Sequence, residues 1–247
     1  MEWFKRLYMG TWQFSGQFKQ LSRSQIEALL NFALQAGVRR FDTAAVYGDG
    51  KVEEILGACL PPTAVVVTKI PATSKPPLHL PVLASIYNFY TPTSIHRSIE
   101  SSLKRLRRDS IDTVLLHNWH PLWSLDVIEI IAALDDLKKS GLVRRIGISL
   151  PNGFNTCIDD AILPYLDVIE APFNPRERWI LNQLPKLLQL KKEVLLRSLF
   201  CQGKLLKRGY TAKEILQEVL PLNTSVVIGM TTEEQIRENT RILKRGE

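Results

Sequence analysis

Eight short runs rich in β-branched and other apolar residues recur along this chain, at 7–11, 40–43, 65–68, 113–117, 145–149, 168–171, 194–198 and 226–229, with helix-like patterns between them. Alternation of this kind predicts parallel βα units. The run Val65, Val66, Val67 is apolar without polar alternation, as expected of a strand covered by helices on one side and by a packed interior on the other. The segment before the second run carries the helical signature. Ser22 and Gln25 form a capping box, Ile26, Leu29, Leu30, Ala33 and Leu34 make one apolar face, and Gly37 ends it. A chain of 247 residues fits one (β/α)8 barrel of the α/β class, a single domain over 1–247.

Bulk properties remove several function classes. Hydrophobic content of 45% and charged content of 23% are ordinary for a soluble globular protein. The N-terminus lacks an apolar run long enough for a signal peptide, and no stretch approaches the ~18 residues of a membrane span, so a cytoplasmic protein without a membrane partner is expected. Cys59, Cys157 and Cys201 are odd in number and widely separated, which disfavours both a disulfide framework and zinc spacing. The net charge of +7 could signal nucleic acid, but the basic residues are scattered. Their densest cluster, Lys104, Arg105, Arg107 and Arg108, reads as a helix C-terminus, where cations are favourable without any partner.

In a barrel, chemistry belongs at the C-terminal strand ends. Asp42, Lys69 and His117 fall there and Tyr47 just beyond. A phenol, an ammonium, a carboxylate and an imidazole at one face can move a proton to or from an oxygen. A free Tyr with a pKa of about 10 is a poor acid at neutral pH. A nearby Lys stabilises the phenolate and is expected to lower that pKa, a carboxylate holds the Lys charged, and an imidazole orients a carbonyl. His117 and His120 have no third ligand spaced to join them, so no metal is expected. There is no G-x-G-x-x-G after the first strand, and GDGK at 48–51 lacks the remainder of a P-loop.

The segments GVRRFDTAAVYGDGKVEEILG, VVVTKI, SLKRLRRDSIDTVLLH, LKKSGLVRRIGIS and IGMTTEEQIRENTRIL closely resemble those of the aldo-keto reductases, in family order and over nearly the whole chain. The resemblance implies NAD(P)H-dependent reduction of an aldehyde or ketone to an alcohol. Tyr47 would be the acid, Lys69 its tuner, Asp42 the anchor of Lys69, and His117 the group that orients the carbonyl. It also implies nicotinamide dinucleotide at the barrel mouth, touched by Gly10, Thr11 and Asp42, with Ser149 holding the carboxamide. Short bacterial members look similar on the seventh strand, where Arg197 replaces a stacking Tyr; a guanidinium can also stack on a flat ring. Ser198, Gln202, Gly203 and Leu205 fall where the family wraps the pyrophosphate.

Departures from the family accompany these matches. The usual Asn after Ser149 is Leu150, and the usual Gln on the sixth strand is Glu170, whose carboxylate can still accept from the carboxamide NH2. The last motif offers Gly229, Met230, Thr231 and Gln235 at a helix N-terminus, with Thr232 and Gln235 as a second capping box and Glu238 and Asn239 at the adenine end. Glu233 and Glu234 oppose a 2′-phosphate there. Family habit favours NADPH, with NADH the rival.

The expected partner is a small-molecule carbonyl compound, and the expected assembly a monomer or weak oligomer. Trp12, Trp119 and Trp123, with Phe14, would line the substrate side beside Tyr47 and His117. The stretch 71–92, with Pro76, Pro77, Pro81, Tyr87, Phe89 and Tyr90, reads either as a substrate-side loop or as aromatics packing the barrel rim. The chain ends directly after its last helix, so the family's long C-terminal cover is expected to be absent, leaving a pocket open to bulky or ring-bearing compounds. The alternative function is a nicotinamide-binding barrel that serves as a regulatory or scaffold subunit with little catalysis.

Overall fold

A computed structural model describes residues 5–17, 19–73, 85–121, 123 and 127–245. Eight parallel strands close on themselves in sequence order: β1 (Leu7–Gly10), β2 (Arg40–Asp42), β3 (Val65–Ile70), β4 (Ile111–His117), β5 (Val143–Ser149), β6 (Val168–Pro172), β7 (Glu193–Arg197) and β8 (Ser225–Gly229). Closure is made by β8 on β1, with Gly10 opposite Gly229. The outer ring holds α1 (Arg23–Gln35), α2 (Lys51–Cys59), α3 (Pro92–Leu106), α4 (Ile128–Lys139), α5 (Leu184–Gln189), α6 (Ala212–Val219) and α7 (Glu233–Arg245). The capping box of Ser22 and Gln25 starts α1 as expected. One unit departs from the alternation. Between β5 and β6 only a 3-10 turn at Leu163–Tyr165 forms, because Pro151, Gly153 and Pro164 interrupt any longer helix.

Side chains alternate across each strand, so residues of one parity fill the barrel interior. The lower layer is polar: Glu193 accepts from Tyr8 at 3.1 Å and Ser225 at 3.0 Å and pairs with Arg145, while Arg40 donates to the Tyr8 hydroxyl at 2.6 Å. Above it lies an apolar layer of Val67, Leu115, Val168, Leu195 and Val227. Gly147 belongs to this layer too. A Cβ there would meet the Val168 carbonyl oxygen at 2.0 Å, so only glycine admits β6 so close to β5. Two residues further along the same strands come Lys69, His117, Ser149, Glu170 and Arg197, and Asp42 ends β2 two residues beyond Arg40. The pleat that packs the core therefore aims these side chains into the upper mouth.

The basic cluster at the end of α3 is more than a helix terminus. Glu53 on α2 is wholly buried and accepts from Thr68 at 2.6 Å, Ser102 at 3.2 Å and Arg105 at 2.6 Å. Arg108 donates to the carbonyls of Ala64 and Pro61. These bonds lock α2 and α3 onto β3, the strand that carries Lys69. No described helix is long and apolar enough to cross a membrane.

Removing one member of a buried ion pair leaves the other charge uncompensated. Arg105→Ala is therefore expected to lower unfolding free energy by about 3 kcal/mol in urea denaturation, and a loss below about 1 kcal/mol would show that Glu53 does not depend on it.

Candidate functional site

Lys69 lies at the centre of the upper layer. Its ammonium donates to Asp42 Oδ2 at 2.5 Å and to the Thr43 carbonyl at 2.9 Å, and stands 3.4 Å from Glu170 Oε2. Asp42, Lys69 and Glu170 are buried, whereas Tyr47 and His117 are only partly covered. Charge thus lies beneath and the phenol and imidazole face outward, their rings 6.4 Å apart and nearly perpendicular. Tyr47 reaches the mouth because Ala44 accepts its backbone N–H at 3.0 Å in the turn that follows β2. His117 is held at the end of β4 by Tyr90, whose hydroxyl donates to its carbonyl at 2.7 Å.

Burial sets the protonation states. It pushes the Tyr47 phenol up to about 12, and the attraction of Lys69, 5.6 Å from the ring centroid, offsets this only in part. Lys69 acts downward on the phenol as expected, but desolvation outweighs the ammonium. His117 is lowered to about 3 by burial and then by Lys69. Burial alone would lower Lys69, but Asp42 and Glu170 reverse the direction and keep it charged. Asp42 is raised by burial and by Glu170; Glu170 is raised by burial but lowered on balance by Lys69 and Arg197. The two carboxylates share one ammonium and titrate as a pair.

Ser149 donates to Glu170 Oε1 at 2.8 Å. Arg197 arches over β6, donating to Asn152 at 2.7 Å, to Ser198 at 2.8 Å and to the Leu150 carbonyl, with its Nε 3.4 Å from Glu170 Oε1. Thr11 is buried and its hydroxyl donates to the Asp42 carbonyl at 2.9 Å. Gln13, absent from the expected site, donates to the Gly10 carbonyl at 2.5 Å and the Met230 carbonyl at 3.3 Å, tying the first and last strand ends together. Nothing in its local sequence marks that role.

The remaining cofactor candidates lie in the loop after β7 and around the start of α7. Ser198, Cys201, Gln202 and Gly203 all have positive φ, which coils the loop after β7 into successive tight turns. Gly203 has open space where a Cβ would stand, whereas Leu205 is buried beneath the loop. Near α7, Asn239 is buried with an unpartnered Oδ1, a polar atom that a ligand amine would satisfy. Glu238 on the same helix is exposed, as is Gly229 at the end of β8. The second capping box forms only in half. Thr232 accepts from Gln235 N at 3.2 Å, but the Gln235 side chain accepts from Thr231 N at 2.7 Å. Arg237 pairs with Glu233 at 3.5 Å and lies over the Phe32 ring. A nicotinamide dinucleotide fits this donor set, with no cation of the first turn of α7 left over for a 2′-phosphate.

The aromatic wall is corrected as well. Trp119 and Trp123 are 1% and 0% exposed and pack edge to face at 5.7 Å, with Phe89 and Tyr90 against Trp123. Phe14 is also in the core, and only Trp12 stays partly exposed. Large flat side chains gain more from filling the space between barrel and rim than from facing water. Phe89 and Tyr90 follow the rim-packing reading; Pro76, Pro77 and Pro81 lie outside the described residues.

The Aldo/keto reductase family model matches residues 6–159. The chain belongs to that family. It is 30% identical over 149 residues to 6-dehydroglucose reductase of Agrobacterium fabrum, covering 58% of this chain and 49% of that protein. It is 31% identical over 196 residues to the NADH-specific methylglyoxal reductase of Escherichia coli, covering 72% and 58%. The chain thus spans only about half to three fifths of these relatives. An aldo/keto reductase from Klebsiella pneumoniae, solved with NADP and acetate, shares the fold with a TM-score of 0.74, 23% identity and coverage of 96% and 85%.

The desolvated imidazole of His117 yields a direct expectation. Side-chain NMR should find it neutral throughout pH 5 to 8, with no midpoint near the ordinary histidine value of about 6.5. A midpoint at that value would mean that the imidazole is solvated and that burial does not govern the site.

Proposed function

We propose that this chain catalyses nicotinamide-dependent reduction of a small-molecule aldehyde or ketone to an alcohol. The observation that carries the reading is the layering of the mouth: a partly exposed Tyr47 and His117 stand over a buried Lys69 and Asp42, in a member of the aldo/keto reductase family. The nicotinamide, when bound, supplies a hydride to the carbonyl carbon. Tyr47 gives its hydroxyl proton to the carbonyl oxygen. His117, kept neutral, donates a hydrogen bond to the same oxygen without competing as an acid. Lys69 places a fixed positive charge beneath the phenol and stabilises the phenolate that remains, while Asp42 holds Lys69 in position. Ser149, Glu170 and Arg197 surround the place proposed for the carboxamide and ring, and the turns at 198–205 and the start of α7 receive the pyrophosphate and adenosine.

A second reading is a nicotinamide-binding barrel with little catalysis. The raised Tyr47 phenol and a Ser149 hydroxyl already committed to Glu170 favour it. Tyr47→Phe separates the two. On the catalytic reading it removes the proton donor alone, so kcat for carbonyl reduction falls at least ~100-fold while the cofactor Kd stays within about twofold. Full turnover by the Phe variant would remove Tyr47 from the mechanism, and a wild-type protein that binds cofactor but turns over no carbonyl compound would establish the second reading.

Cofactor choice follows from the acidic start of α7. NADPH and NADH should both bind, differing by about tenfold or less in fluorescence titration, or about 1.4 kcal/mol. A several-hundredfold preference for NADPH, above ~3 kcal/mol, would require a basic clamp that the described residues around α7 do not supply.

A further inference from the structure

Glu170 is a carboxylate in a place where hydrogen bonding alone would need only an amide. It is fully buried, yet its Oε2 has no hydrogen-bond partner and instead faces the Lys69 ammonium at 3.4 Å. Its Oε1 accepts from Ser149 at 2.8 Å and faces Arg197 Nε at 3.4 Å. The charged and titratable groups around Tyr47 come from five strands: Asp42 on β2, Lys69 on β3, His117 on β4, Glu170 on β6 and Arg197 on β7. Glu170 sets a negative charge against the Lys69 and Arg197 cations beneath the phenol. Without it the same set would carry one more positive charge, and a phenolate above it would be stabilised.

We propose that Glu170 is a positioning residue for the proton relay: by presenting a second carboxylate to Lys69, it diverts the ammonium's field from Tyr47 and keeps the phenol protonated, suited to give a proton rather than to take one. This rests on the reading of Tyr47 as the proton donor, but the diversion of charge is a property of the free protein and can be read without cofactor or substrate. The direction found for Tyr47 agrees, since Glu170 acts upward on the phenol and Lys69 downward. Lys69 and Arg197 hold the Glu170 carboxyl below its ordinary value, so its full negative charge is at stake.

The test is ultraviolet titration of tyrosinate, with the Tyr47 signal isolated as the difference between each protein and the same protein carrying Tyr47→Phe. Glu170→Gln, which keeps shape and hydrogen bonding but not charge, should move the Tyr47 midpoint down by about one pH unit, a tenfold change in proton affinity. Glu170→Asp, which keeps the charge, should leave the midpoint close to wild type. An unmoved midpoint in the Gln variant, or equal shifts in both variants, would overturn the proposal. Should the Gln variant not fold, the wild-type titration still decides: a Tyr47 midpoint below the ordinary tyrosine value of about 10 would mean that Glu170 does not shield the phenol. A second arm applies if the chain oxidises alcohols. The rising limb of its pH–rate profile should then move down by the same interval in Glu170→Gln. Absence of any turnover would count against the proposed function while leaving the titration result intact.

Discussion

A single buried ammonium organises the upper half of this barrel. Lys69 cannot be left in a dry interior without partners, and it finds them in Asp42, the Thr43 carbonyl and Glu170. Asp42 and Thr43 come from the end of β2 and Glu170 from β6, so satisfying one charge fixes the relative height of β2, β3 and β6. The apolar layer below keeps water away from the pair. Glu53, bonded to Thr68 and pinned by Arg105, steadies β3 from outside. Removing any of these supports would act on the chemistry by displacing Lys69.

The same burial that makes Lys69 costly makes it useful. In a medium of low dielectric a fixed charge acts strongly on its neighbours, and the partly exposed Tyr47 and His117 are neutral groups that exchange hydrogen bonds or protons. Desolvation keeps His117 uncharged and Tyr47 protonated. Tyr47 is therefore better understood as an acid held in reserve than as one already activated, and the charge arrangement beneath it decides how readily the proton leaves.

Much of this could be read from the chain before folding was considered. The apolar runs locate all eight strands to within a few residues, and period-two alternation carries the core parity of Val67 and Leu115 directly onto Lys69 and His117. Neighbours that meet only through barrel closure are a different matter. Arg197 is 27 positions from Glu170, Glu53 is 52 from Arg105, and Gln13 spans a seam between the first and last strands; no local pattern announces these contacts. The net direction of the Tyr47 shift is hidden from local sequence for a related reason. A phenol's proton affinity depends on how much water reaches it as well as on which charges stand near. Trp119 and Trp123 sit beside motif residues in sequence, but their size takes them into the core.

Transfer of a labelled hydride tests the central claim most directly. A single turnover with reduced nicotinamide carrying deuterium at both C4 positions and a panel of aldehydes and ketones should place one deuterium on the carbinol carbon of the product, and Lys69→Met should slow that transfer by at least ~100-fold without loss of cofactor binding. Product alcohol without deuterium, or a Lys69→Met protein that transfers it at the wild-type rate, would contradict the account.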